Sequence, residues 1–182
     1  MSAQELFDIV DDQNRLTGQV VDRRTAHQQG HRHRVAHIYV FRDREGAREV
    51  LVHQRSKFKD HSPNTWDPRF GGHIASGHEP LETAVREMQE EVGLAVSLNA
   101  LIAGPVVRWD EPTNNEYQYL FAYRADTLDE RTLTFDDGEV QAVKWMRIDQ
   151  VVEAVDAEPN NWTCRGMFGK EIRVIRDWLK TL

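Results

Sequence analysis

The sequence predicts an α/β domain, and three observations carry that reading. Short β-branched and aromatic runs recur through the first and last thirds of the chain, separated by turn residues. Between them lies one amphipathic run opened by Pro80 and closed by Gly93, the proline-in, glycine-out signature of a helix. Near the end Ile172, Ile175 and Leu179 recur at helical spacing.

Taken in order, residues 6–10 and 16–20 flank the polar Asp11-Asp12-Gln13-Asn14 and predict a small hairpin, with a short helix at 23–29 behind it. Residues 35–41 and 49–54 predict a longer hairpin broken at 43–46. The polar stretch 57–70 carries Pro63 and Pro68, runs into Gly71-Gly72 and predicts a loop. The central helix spans 80–92. Strands are expected at 98–102, 106–109, 117–123 and 140–146, then helices at 149–155 and 170–179. At 182 residues the chain is sized for one domain, with 1–30 as an N-terminal hairpin and helix extension.

A formal charge of −7 argues against a protein whose main task is gripping a nucleic-acid backbone, so no nucleic acid is expected. No apolar run approaches the roughly 20 residues that span a bilayer, and residues 1–10 lack the pattern of a signal peptide, so no membrane partner and a cytoplasmic location are expected. The single cysteine, Cys164, excludes an internal disulfide and a cysteine-built zinc site.

The chemistry lies on the central helix. Glu87, Glu90 and Glu91 fall within roughly 100° of one another on a helical wheel, while Leu81, Ala84, Val85, Met88 and Val92 form an adjoining apolar face. Each like-charged pair costs a few tenths of a kcal/mol, which Arg86 offsets only in part; a hard divalent cation removes the repulsion. Acidic clusters on helices are usually solvated faces, so the surrounding pattern has to decide. Residues 72–94, from Gly72 through Arg86-Glu87-Met88-Gln89-Glu90-Glu91-Val92-Gly93-Leu94, resemble the Nudix box: a glycine, five residues, a glutamate, seven residues, then Arg-Glu-apolar-x-Glu-Glu-x-Gly-apolar. Such matched identities at fixed spacing arise by chance on the order of once in 10⁵ chains of this length. One fixed position departs, His78 standing where the box has its first glutamate, with Glu79 next to it.

The resemblance implies an α/β/α sandwich with a mixed β-sheet held between the carboxylate helix and the C-terminal helices. It implies a Mg²⁺- or Mn²⁺-dependent hydrolase of small-molecule diphosphates such as nucleoside diphosphate derivatives. Glu87, Glu90, Glu91 and the Gly72 carbonyl would be metal ligands, and Arg86 would orient the glutamates. Glu116 and Glu139 are candidates for the general base. Arg55 is a candidate phosphate contact, with Gly71, Gly72 and His73 on the substrate side; Lys57 and Lys59 read as solvated, and Trp66 and Trp109 as packing residues. A homodimer is in keeping with the family.

The layout Phe7 to Asp11, His33 to His37 and Gln54-Arg55-Ser56 is similar to the branch related to isopentenyl-diphosphate isomerase. This raises a rival reading, isomerisation of an allylic diphosphate. That enzyme uses a histidine and glutamate metal site, for which His33, His73 and Glu116 align and His27 less securely, and an essential cysteine, for which Gly71 stands here. A third reading is an inactive Nudix fold serving as a binding module, which His78 favours and the complete 86–93 segment opposes.

Overall fold

The computed structural model describes residues 5–59, 61–135, 138–164 and 168–182, with side chains in the last helix from Ile172 onward. Strands β1 (Leu6–Val10) and β2 (Leu16–Asp22) form a separate antiparallel hairpin. Its turn closes on Asp11, whose carboxylate accepts from the backbone N–H of Gln13 and Arg15. Helix α1 (Arg23–Gln29) is capped by Asp22, which accepts from the Thr25 N–H.

Among the described residues the main sheet has seven strands. Strand β3 (His33–Arg44) pairs antiparallel with β4 (Ala47–Arg55) and β6 (Phe70–His73), and parallel with β8 (Asn115–Arg124). Strand β4 also carries β9 (Val140–Arg147) and the two-residue β5 (Trp66–Asp67), and β8 carries β7 (Leu101–Asp110). The sheet is therefore mixed, as expected. Both its faces are covered, so β3 is apolar on both sides rather than alternating with polar residues. Ala36, Ile38 and Val40 pack with Phe121 against Ala84, Met88 and Val92 of α2 (Pro80–Val92). Tyr39 and Phe41 pack with Val50, Val52 and Leu120 against α3 (Ile148–Ala157) and α4 (Phe168–Leu179). This is the α/β/α sandwich, and the Ile172, Ile175 and Leu179 stripe meets its second core. No helix among the described residues is long and apolar enough to cross a membrane.

Two local expectations fail. The stretch 57–70 is not all loop: Trp66–Asp67 pairs with His53 and Gln54, and β6 begins at Phe70. A two-residue strand has no period to read; its partner defines it. Of residues 98–102 only Leu101 and Ile102 are strand. Leu98–Ala100 is a 3₁₀ turn, and β7 then runs unbroken from Leu101 to Asp110, with an irregularity between Ala103 and Val106 where Gly104 and Pro105 sit. The two strands expected at 98–102 and 106–109 are thus one, and β7 is an edge strand, where the missing N–H of Pro105 at a bulge is tolerated.

Candidate active site

The site grows from the contact between β6 and α2. Strand β6 lies on β3 with His37 opposite Gly71, Ala36 opposite Gly72 and Val35 opposite His73. Gly71 has φ +137°, and a Cβ there would lie 2.0 Å from the Ala36 carbonyl oxygen, so only glycine fits. A Cβ on Gly72 would lie 2.8 Å from the Glu87 carboxyl carbon. The glycine pair thus lets α2 bring its carboxylates onto the strand backbone. The Gly71 N–H donates to Glu91 at 3.1 Å. Arg86 reaches Glu87 and Glu90, each at 2.8 Å.

The three carboxylates share a helix face but differ in depth. Glu91 is buried, Glu87 mostly buried and Glu90 half exposed. Burial drives the Glu87 carboxyl up to about 7 against the opposing pull of Arg86, and raises Glu91 well above the usual carboxylate range, with repulsion from Glu87 next in size. Two buried acids that resist ionisation beside a backbone strand are a donor set of hard oxygens short of positive charge. They fit a hard divalent cation, which Glu87, Glu90 and Glu91 would hold.

The remaining candidates fall into two groups. Glu139, in the turn ahead of β9, is close enough for its charge to raise both Glu87 and Glu91, and it is ion-paired to Lys59. Lys59 is therefore not a solvated lysine, contrary to the sequence reading. Asp136 and Asp137, which precede it in sequence, lie outside the described residues. Glu116 is in strand β8 rather than ahead of it and belongs to a second cluster, 3.9 Å from His33 Nε2. There His27, His33 and His73 bring one ring nitrogen each within 4.8 Å of one another. His33 Nδ1 bonds the His31 carbonyl at 2.9 Å, so Nδ1 carries the proton and the Nε2 lone pair is free for another partner. Burial lowers the pKa of all three imidazoles, and Phe7 stacks on His33 and His73 with ring centroids 5.0 and 4.6 Å apart. Neutral imidazoles beside a carboxylate fit a nitrogen-ligated transition metal better than magnesium.

A cavity of about 550 Å³ adjoins this cluster and is lined by Arg55, Glu116 and His73 among others. Arg55 donates to the His61 carbonyl at 3.1 and 3.3 Å and faces the same cavity. Trp109 is buried and Trp66 partly buried. The sequence reading missed Asn114 and Gln118, which hold Glu116, and the buried Arg69–Asp67 pair. For Gln118 the signal was present: Glu116 and Gln118 are polar residues two apart in one strand, hence on one face.

An α/β/α sandwich that lays a carboxylate helix against a glycine strand defines the Nudix class of proteins. The NUDIX domain model matches residues 31–165, and the chain belongs to that family. It is 30% identical over 158 residues to an uncharacterized Nudix hydrolase of Clostridium acetobutylicum, covering 84% of this chain and 75% of that one. It is 28% identical to the isopentenyl-diphosphate Delta-isomerase of Pectobacterium atrosepticum, covering 85% and 83%. Among solved structures, one from Deinococcus radiodurans superposes with a TM-score of 0.66 at 22% identity, covering 93% of this chain and 98% of that one.

Proposed function

We propose that this chain is a Mg²⁺- or Mn²⁺-dependent hydrolase that cleaves the diphosphate linkage of a nucleoside diphosphate derivative. The observation that carries the reading is the seat of Glu87 and Glu91 against Gly71 and Gly72, a cluster of oxygen donors whose burial makes sense with a cation between them. Bound divalent cations would neutralise the phosphate oxygens and supply a water of lowered pKa. Arg86 keeps Glu87 and Glu90 aligned. Glu139, oriented by Lys59, accepts the proton of the attacking water, and the bridging oxygen departs with the leaving phosphate, giving two phosphate-terminated products. Glu116 lies with the histidines, which makes Glu139 the better placed of the two bases.

The isomerase reading meets a backbone obstacle as well as a chemical one. Gly71 lacks the thiol, and its φ of +137° and the 2.0 Å approach to Ala36 leave no room for a cysteine without moving the strand. An inactive module is distinguished by assay. A panel of nucleoside diphosphate derivatives with magnesium and with manganese should give metal-dependent phosphate or nucleotide release, and Glu90→Gln and Glu91→Gln should each remove most of it with the fold intact. Unchanged turnover in both variants, or ligand binding with no turnover in the parent, refutes the hydrolase.

A further inference from the structure

We propose that Phe58 is a stacking platform for the nucleobase of the substrate and a determinant of its specificity. This rests on the hydrolase reading above and names the side chain that would recognise the base.

The fold leaves Phe58 uncovered. Its ring is 82% exposed, more than any other large apolar side chain among the described residues. Single apolar groups scattered on a surface are ordinary. Phe58 differs in being held on a fixed backbone. Strand β4 ends at Arg55, and the buried Ser56 folds the next residues into a turn. Its carbonyl accepts from the Lys59 N–H at 3.2 Å, and its hydroxyl from the Phe58 N–H at 3.3 Å. The Lys57 ammonium lies over the ring, 5.0 Å from its centroid. A ring presented in this way loses little conformational entropy when a flat partner covers it.

Both ends of the turn are tied to the proposed base. The Ser56 N–H donates to the Glu139 carbonyl at 2.8 Å, and the Lys59 ammonium pairs with the Glu139 carboxylate. Phe58 lies between these two contacts, one residue from Lys59 and two from Ser56, and one residue of extended chain spans at most about 3.6 Å. The charges of Lys59 and Glu139 both bear on the buried Glu91, and that of Glu139 bears on Glu87 as well. Phe58 therefore stands on the rim of the carboxylate site, on the side that carries the proposed base.

The chemistry of one ring selects the partner. Every nucleobase has a π-face, and stacking on an aromatic side chain tolerates any base. A hydrocarbon chain laid on a single ring would leave most of its surface in water, so Phe58 alone is a poor seat for one. Lys57 covers one face of the ring, and the base takes the other.

The test follows phosphate release from ADP and from methyl diphosphate, which has the same linkage without a base, by the full chain, Phe58→Ala and Phe58→Trp. Removing a stacking ring costs about 5- to 150-fold in affinity. Phe58→Ala should raise KM for ADP at least fivefold more than KM for methyl diphosphate, with kcat for ADP within threefold. Phe58→Trp should keep KM for ADP within threefold of the parent. Calorimetry with AMP and ribose 5-phosphate reads the base without turnover. The parent should bind AMP at least fivefold more tightly than Phe58→Ala does, while ribose 5-phosphate should not distinguish them. Equal changes in KM on both diphosphates, an AMP affinity that is unchanged or absent in the parent, or Phe58→Trp behaving as the alanine variant would overturn the assignment. No release from any nucleotide of the panel above, with AMP affinity that still falls in Phe58→Ala, would refute the hydrolase reading and leave the platform standing.

Discussion

Replacing Gly72 by alanine separates geometry from stability at the site. The backbone at Gly72 is outside the left-handed region, so alanine meets no conformational strain. Its Cβ, however, would lie 2.8 to 2.9 Å from the carboxyl carbon and both oxygens of Glu87, so those atoms must retreat by about 0.5 Å or more to reach ordinary contact. Glu87 ends in a flexible group, and an off-rotamer adjustment costs about 0.5–1.5 kcal/mol. Alanine returns about 0.4–1 kcal/mol by narrowing the unfolded ensemble. The two nearly cancel, and at about 2–4 °C per kcal/mol for a chain of this size Tm should move by less than about 4 °C. Catalysis has no such compensation, since misplacing by about 1 Å a carboxylate proposed to hold the cation can cost about 10²-fold in rate. Thermal melting, Mn²⁺ binding followed by electron paramagnetic resonance, and turnover of the panel substrate make the measurement. Manganese affinity and turnover within threefold of the parent would refute the reasoning, and so would a fall in Tm above 10 °C. Gly71→Ala is the control for the opposite behaviour, because its obstacle is the Ala36 backbone and cannot swing away.

Three further outcomes follow from the packing. Met88→Ala opens a cavity under α2 in the first core and should cost about 2–5 kcal/mol by urea unfolding, with the metal-dependent rate per folded molecule retained. Asp8 accepts from the Ser76 hydroxyl at 2.6 Å and the Gly77 N–H at 2.9 Å, clamping the hairpin to the loop before α2; Asp8→Ala should cost about 1–3 kcal/mol and speed amide exchange around 76–78 before it does so in the sheet. His53 is held by burial at about 4 against an ordinary 6.5, so the folded chain keeps it neutral where the unfolded chain charges it. Its contribution is complete above about pH 6.5 and is lost as pH falls toward 4, because the unfolded state takes the extra proton. Glu87, raised to about 7, acts in the opposite sense, so the readout is the difference between His53→Gln and the parent in metal-free buffer. That difference should favour the variant by up to about 2 kcal/mol on going from pH 7 to pH 5, and identical acid limbs would refute it.

Elements with a clear period were readable from the chain. Helix α2 could be placed from Pro80, Gly93 and the Ala84, Met88, Val92 stripe, and α4 from Ile172, Ile175 and Leu179. Strand β5 could not, because two residues carry no alternation, and the continuity of β7 through Pro105 depends on the partner β8. At the site a helical wheel gives angle but not depth, so it grouped Glu87, Glu90 and Glu91 without showing that Glu91 is buried and Glu90 is not. The Lys59–Glu139 pair is hidden for another reason: the Ser56 N–H bonds the Glu139 carbonyl, joining segments distant in sequence. His27 becomes a neighbour of His33 and His73 only through the turn at Gly30 and the docking of the hairpin over them.

Strands β3 and β8 run parallel with His33 opposite Glu116, and that pairing has a kinetic meaning. A parallel ladder cannot be closed by a tight turn, so the chain must first travel through β4, β6, α2 and β7 before the histidine corner acquires its acid. The entropy of closing so long an excursion is lost before any contact repays it, which places refolding of this corner among the slower events of the molecule. A nascent chain that has emerged only as far as α2 already owns every candidate ligand of the carboxylate site, yet has no Glu116 to complete the other cluster. Synthesis thus delivers the residues of the two clusters in sequence, the carboxylates before Glu116.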